Sequence, residues 1–118
     1  MEILTPGGAW KATYPGAMIG LQMLEDVVNL PQHAGLEQAK TGLEERLRQR
    51  YAALSRAELK ATPPLDAYGS YYRRFDKTYH VLLQLESIVH KGKAISSAGT
   101  LVEAMFMAEL KNQLLTAG

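Results

Sequence analysis

The spacing of apolar residues changes once along this chain, and that change constrains the fold more than any other feature. Residues 17–24 form a mostly apolar run that contains Gly20. A short apolar run without alternation is typical of a strand that is buried on both faces of a sheet. From Leu36 onward, apolar residues recur instead at helical spacing. A strand region followed by helices predicts an α+β domain, in which helices cover a small β-sheet.

Local signals divide the rest of the chain into helices. Residues 35–54 have helical spacing, and Ser55 with Glu58 forms the capping-box pattern of a short helix. Pro63 and Pro64 then end that helix and open the next segment, where Pro64 suits a first helical turn. A further helix is predicted from about Leu65 to Phe75. A leucine-rich helix follows, for which Gly92 is a suitable C-terminal stop.

The last predicted helix begins with a second capping-box pattern, formed by Thr100 and Glu103. Apolar residues then occur almost all round the helix. Such a helix is usually buried on every side. We therefore expect this helix to lie inside the fold.

Composition restricts the function classes. The 118 residues suit a single domain, residues 1–118. The absence of cysteine excludes disulfides, thiol nucleophiles and cysteine metal sites. No apolar run is long enough to span a bilayer, and the N-terminus lacks a signal-peptide pattern. We therefore expect a cytoplasmic protein that has no membrane partner, and we predict no metal or cofactor.

The charges are unevenly distributed. Between Arg46 and Lys93 there are ten Lys and Arg against four Asp and Glu, whereas the remaining residues carry three basic and eight acidic groups. A phosphate-bearing partner would favour the basic middle. The other interpretation is that these charges are scattered over solvated helix faces.

One helix combines aromatic and basic residues. Its aromatic residues share a face at helical spacing, and its cations fall on the opposite face: Tyr68, Tyr71, Tyr72 and Phe75 against Arg73, Arg74 and Lys77. An interleaved pattern would suit base stacking. The separation favours aromatic residues in the core and cations in water, where the cations can still contact phosphate.

Two carboxylate–histidine pairs occur at helical spacing, Asp76 with His80 and Glu86 with His90. Either pair suits acid–base work, since a carboxylate orients an imidazole and raises its pKa. No motif places a nucleophile beside them. The simpler interpretation is surface ion pairs on a helix.

The order of elements resembles a known family. Tyr14-Pro15-Gly16 precedes the apolar run, the aromatic and basic helix ends near Phe75, and Lys91-Gly92-Lys93 and Leu101-Val102-Glu103 follow. This order is similar to the B3/B4 domain of the phenylalanyl-tRNA synthetase beta chain, which hydrolyses tyrosine wrongly attached to tRNA. The resemblance implies that the C-terminal strands of the family domain are missing from this chain.

The chain departs from that family at the residues of the editing site. The family's Thr-Asn pair corresponds to Met105 and Phe106, which cannot make the same hydrogen bonds. The resemblance therefore implies binding rather than catalysis, with Glu103 as a weak catalytic candidate.

The functional hypothesis is a module that binds tRNA, aminoacyl-tRNA or an amino acid. The expected phosphate contacts are basic residues of the middle region: Arg73, Arg74, Lys77, Lys91 and Lys93. Two alternatives stay open. One is hydrolytic deacylation of mischarged tRNA, and the other is a non-catalytic protein-interaction domain. A complementing C-terminal segment or chain is a further expected partner.

Overall fold

The computed structural model describes residues 5–117, and this part of the chain is helical. Its helices are α1 (Gly8–Thr13), α2 (Ala34–Tyr51), α3 (Arg56–Lys60), α4 (Pro63–Arg73), α5 (His80–Val89) and α6 (Thr100–Asn112). No β-strand occurs among the described residues. The predicted α+β fold with a small sheet is therefore wrong, because residues 5–117 contain no sheet for helices to cover.

The apolar run predicted as a buried strand is instead exposed and irregular. Within residues 17–30, Met18 is 94% exposed and Val28 is 73% exposed. Residues 18–28 make no backbone–backbone hydrogen bonds with any residue of 5–117. A strand buried on both faces needs a neighbouring strand and a covering layer. Residues 5–117 supply neither, so local apolar character does not produce a strand here.

This exposed segment is held at both ends. Before it, the Tyr14 hydroxyl donates a hydrogen bond to the Tyr71 hydroxyl of α4 at 3.4 Å. After it, the Leu30 amide donates to the Thr100 hydroxyl at 3.1 Å, and the Leu101 amide donates to the Asn29 side-chain oxygen at 3.1 Å. The segment therefore runs between α4 and the start of α6.

Helix α2 is the centre of the fold, because it packs against both α5 and α6. It begins where His33 Nδ1 accepts a hydrogen bond from the Leu36 amide at 3.3 Å. Leucines from α2 and α5 supply much of the core. The buried apolar residues are Leu43, Leu47, Tyr51, Leu59, Leu65, Tyr79, Val81, Leu82, Leu85, Ile88, Ile95 and Leu110.

Helices α3 and α4 pack against each other, and α4 packs on α5. The predicted capping box at the start of α3 is confirmed, since Ser55 and Glu58 exchange both side-chain-to-backbone hydrogen bonds. Pro63 and Pro64 occupy the first positions of α4, as predicted. The prolines therefore start α4 and allow a short turn after α3.

Helix α6 begins at the predicted residue but not by the predicted means. Its N-cap is Gly99, with a φ of 93°, and no side chain caps the helix. The Thr100 hydroxyl bonds to the Leu30 amide instead. The helix is also not buried all round, since Leu101 is 43% exposed while Glu103 and Glu109 are buried. The predicted capping box and the all-round burial are both wrong, because tertiary partners decide how these side chains are used.

Candidate functional site

Four cationic side chains line a cavity along one side of α5. A groove of about 490 Å³ runs between α3, α4, the linker before α5 and α5 itself. We call it the basic groove. Its ionisable cations are Arg56 and Lys60 of α3, Arg73 of α4 and Lys77 of the linker. Four cationic residues from three parts of the chain therefore line a single cavity.

Among the described residues, a single carboxylate lines the groove, and a cation already pairs with it. Glu86 of α5 is buried, and its Oε1 accepts a hydrogen bond from Arg56 Nε at 2.8 Å. Arg73 donates from Nη2 to the Ser70 hydroxyl at 2.9 Å. Neither Lys60, Arg73 nor Lys77 forms an ion pair within residues 5–117. The lining side chains thus carry a net charge of +3, which favours an anion.

Helical spacing and one unusual turn bring these cations together. Arg56 and Lys60 are four residues apart on α3, so they share one face of that helix. The Arg73 guanidinium lies over Gly69. A Cβ atom added to Gly69 would be 3.4 Å from Arg73 Nη1. After α4, Asp76 has a φ of 53°, which turns the chain so that Lys77 lines the same groove.

The start of α5 also faces the basic groove. Thr78 and Tyr79, which precede the helix, line the cavity. The first turn of α5 contains no acidic residue, and no side chain caps it. The positive end of the helix dipole and its free N–H groups favour negative charge. This feature adds to the electrostatic preference that the side chains establish.

The structure separates the five basic residues that the sequence analysis grouped. Arg73 and Lys77 line the basic groove. The Arg74 guanidinium lies 5.9 Å from the centre of the Tyr71 ring. Lys91 is exposed beyond the end of α5, and Lys93 lines a different pocket. The five residues therefore do not all line one cavity.

The basic groove includes two residues that the sequence analysis missed, Arg56 and Lys60. Their signal was present in the sequence, as two cations four residues apart in a helix started by a capping box. Only the packing of α3 and α4 beside α5 shows that these cations meet Arg73 and Lys77.

Glu103, the weak catalytic candidate, lies in a buried ion pair. Glu103 is fully buried, and its Oε1 accepts a hydrogen bond from Lys40 Nζ at 3.2 Å. Glu103 does not line the basic groove. A hydrolytic role would require a polar cavity and a water beside this carboxylate. The carboxylate is instead enclosed between α2 and α6.

Both predicted carboxylate–histidine pairs are replaced by other contacts. His80 Nε2 lies 3.3 Å from Glu109 Oε2, whereas His90 Nε2 lies 2.9 Å from the Leu54 carbonyl oxygen. Glu86 pairs with Arg56. Helical spacing alone therefore selected the wrong partners, because these side chains turn toward neighbouring helices.

Within residues 5–117, no helix is both long and apolar enough to cross a membrane. The same residues hold no group of three or more His, Asp or Glu side chains placed to bind a metal ion.

Comparison of the chain with family models, curated proteins and solved structures gives no match. Together with the absence of strands in residues 5–117, this overturns the resemblance to the B3/B4 domain of the synthetase. The matching order of turns and helices came from short patterns that a helical chain also satisfies. The description of the chain as an α+β domain of that family is therefore wrong.

Proposed function

We propose that this chain binds phosphate groups in the basic groove. The observation that carries the proposal is the convergence of four cations on one cavity that contains a single, already paired carboxylate. Arginine and lysine are the side chains that proteins use most often to hold phosphate, because their donors match its oxygens. The proposed function is therefore that of a binding module.

The phosphate groups have two possible sources, an RNA backbone such as that of tRNA or a phosphorylated small molecule. Both present the same anionic oxygens to the groove. The cations are exposed and come from separate elements. An extended backbone would contact several of them at once, whereas a free phosphate would contact one or two.

The experiment is a titration of the chain with bulk tRNA and, separately, with inorganic phosphate, at roughly 50 and 200 mM salt. We expect tRNA binding that weakens steeply as salt rises, because each phosphate contact releases counterions. In the double variant Arg73→Gln/Lys77→Gln, the slope of log affinity against log salt should fall by about two.

The matched control is the double variant Lys91→Gln/Lys111→Gln. It removes the same charge from exposed positions outside the groove, so tRNA affinity should stay close to wild type. Equal weakening by both double variants would show that only net charge matters, and the proposal would fail. Saturable binding of phosphate without binding of tRNA would assign the groove to a small ligand.

A gain-of-affinity variant provides a second test. Glu86→Gln keeps the shape of the side chain but removes the groove's negative charge and releases Arg56 from its ion pair. We expect tighter binding of the phosphate ligand. Unchanged affinity in a folded Glu86→Gln variant would place the bound phosphate outside the basic groove.

A further inference from the structure

A second pocket, on the other side of the exposed edge of α5, has a different character from the basic groove. It lies between α5, the linker after α5 and α6, has a volume of about 280 Å³, and shares only Leu83 with the basic groove. Its apolar wall includes Ile88, Ile95 and Phe106. We call it the α5–α6 pocket. Its volume lies just below the range typical of drug-sized ligands, so it suits a small molecule.

Each polar side chain of the α5–α6 pocket carries a hydrogen-bond donor, and none is paired within residues 5–117. Gln84, Ser87, Lys93 and Ser96 line the pocket, and none makes a side-chain hydrogen bond or ion pair with the described chain. No carboxylate lines it. An amide, two hydroxyls and an ammonium group around an apolar wall therefore favour an anionic group attached to an apolar body.

Gln84 brings a side-chain amide to this pocket. Its Oε1 is buried and accepts no hydrogen bond from residues 5–117. The nitrogen of the same amide is a donor, and a ligand's carboxylate can accept a hydrogen bond from it. Gln84 therefore adds a donor to the pocket beside the serine hydroxyls.

The single cation of the pocket is held in place by its backbone. The Lys93 amide donates to the Ser87 carbonyl at 2.9 Å, and the Lys93 carbonyl accepts from Arg48 Nη2 at 3.0 Å. The turn before it requires Gly92, whose φ is 65°. Helices α2 and α5 thus fix the point from which the exposed ammonium group extends.

We propose that the α5–α6 pocket binds a short, apolar carboxylic acid, whose carboxylate contacts Lys93 and whose hydrocarbon chain lies against Ile88, Ile95 and Phe106. The site is separate from the basic groove and does not depend on phosphate binding. The carboxylate would accept hydrogen bonds from the serine hydroxyls or from the Gln84 amide.

The test is an amide-resolved NMR titration with three probes, 4-methylpentanoate, 4-methylpentanamide and acetate. We expect 4-methylpentanoate to give saturable shifts at residues 83–96 and 106–110. The amide probe lacks the negative charge and acetate lacks the apolar body, so both should bind more weakly. Equal binding of 4-methylpentanoate and its amide, or no saturable shift with 4-methylpentanoate, would overturn the proposal.

Matched variants locate the contact. Lys93→Gln should weaken the binding of 4-methylpentanoate by roughly three- to fivefold, the range expected for an exposed ion pair. Lys91→Gln removes the neighbouring lysine, which does not line the pocket, and should leave the affinity unchanged. The groove variant Arg73→Gln/Lys77→Gln should also bind 4-methylpentanoate normally. If Lys91→Gln weakens binding as much as Lys93→Gln, the charge acts at long range and the assigned site is wrong.

Discussion

At the scale of single residues, two core tyrosines have opposite surroundings. Tyr51 and Tyr79 are 4% and 1% exposed. The Tyr51 hydroxyl accepts a hydrogen bond from Gln113 Nε2, whereas the Tyr79 hydroxyl has no partner among the described residues. The Tyr79 ring stacks on Tyr68 with 4.8 Å between ring centres. The ring of Tyr79 therefore contributes to packing, while its hydroxyl opposes burial.

Replacing each tyrosine with phenylalanine tests this difference. Tyr79→Phe removes an unsatisfied hydroxyl, so we expect the free energy of unfolding to stay constant or to rise by up to about 1 kcal/mol. Tyr51→Phe leaves Gln113 without its buried partner and should lower that free energy by about 1 kcal/mol or more. Urea unfolding followed by circular dichroism measures both. A larger loss for Tyr79→Phe than for Tyr51→Phe would contradict the assignment.

The same tyrosine makes stability depend on alkaline pH. Burial, together with nearby Tyr68 and Glu109, raises the pKa of Tyr79 above its usual value of 10.0. Above pH 10 the folded state therefore keeps the phenol neutral while the unfolded chain ionises it. This group leaves the free energy of unfolding unchanged below pH 10 and lowers it as the pH rises further. The free energy of unfolding should fall less steeply above pH 10 in Tyr79→Phe than in wild type.

At the scale of helices, a buried ion pair joins α2 to α6. Lys40 Nζ lies 3.2 Å from Glu103 Oε1 and 3.0 Å from Glu37 Oε1. Burial of the ammonium group opposes its charge, but hydrogen bonds and attraction from Glu37 and Glu103 outweigh that cost and raise the pKa of Lys40. The second oxygen of Glu103 is buried and has no hydrogen-bond partner among residues 5–117. Loss of the Lys40 charge would therefore leave the Glu103 carboxylate buried without a cation.

Breaking this pair on one side should destabilise the fold more than removing it entirely. Lys40→Met leaves Glu103 as an uncompensated buried charge, and we expect a loss of about 3 kcal/mol in the free energy of unfolding. Lys40→Met/Glu103→Gln removes both charges and should recover much of that loss. Chemical unfolding of Lys40→Met, Glu103→Gln and the double variant measures the coupling. Additive losses would mean that the two side chains do not interact.

The elements also show where sequence patterns were sufficient. The capping box of α3 and the prolines of α4 act within one turn of their own helix, so they were predicted correctly. In α6 the same type of pattern failed, because Thr100 bonds to Leu30 across 70 residues of sequence. Similarly, Glu103 and Glu109 are buried by partners on other segments. Local signals are reliable where the partner is local.

At the scale of the whole molecule, the chain exposes more surface than its length predicts. Its accessible surface is 8517 Å², against about 6,300 Å² for a compact monomer of this size. Its radius of gyration is 16.2 Å, against about 13.5 Å expected. Residues 17–30 account for much of this, since eight large apolar side chains there are exposed. The core is therefore formed by α2–α6 without that segment.

A pair of substitutions checks this division. Met18→Ser changes a side chain that is 94% exposed, so we expect the free energy of unfolding to change by less than about 0.5 kcal/mol. Leu85→Ala empties a fully buried position in α5 and should cost about 2–5 kcal/mol. Urea unfolding of the two variants measures both changes in the free energy of unfolding. A large loss for Met18→Ser would show that residues 17–30 belong to the core.

The sequence by itself determined most of the helices after residue 34 and the starts of α3 and α4, because helical spacing and capping act over a few residues. It also concentrated positive charge in the middle of the chain. The tertiary structure alone decided that residues 17–24 do not form a strand, since a strand needs partners that residues 5–117 do not provide. It also decided that Arg56 and Lys60, rather than Lys91 and Lys93, join Arg73 and Lys77 in one groove, because α3 and α4 pack beside α5.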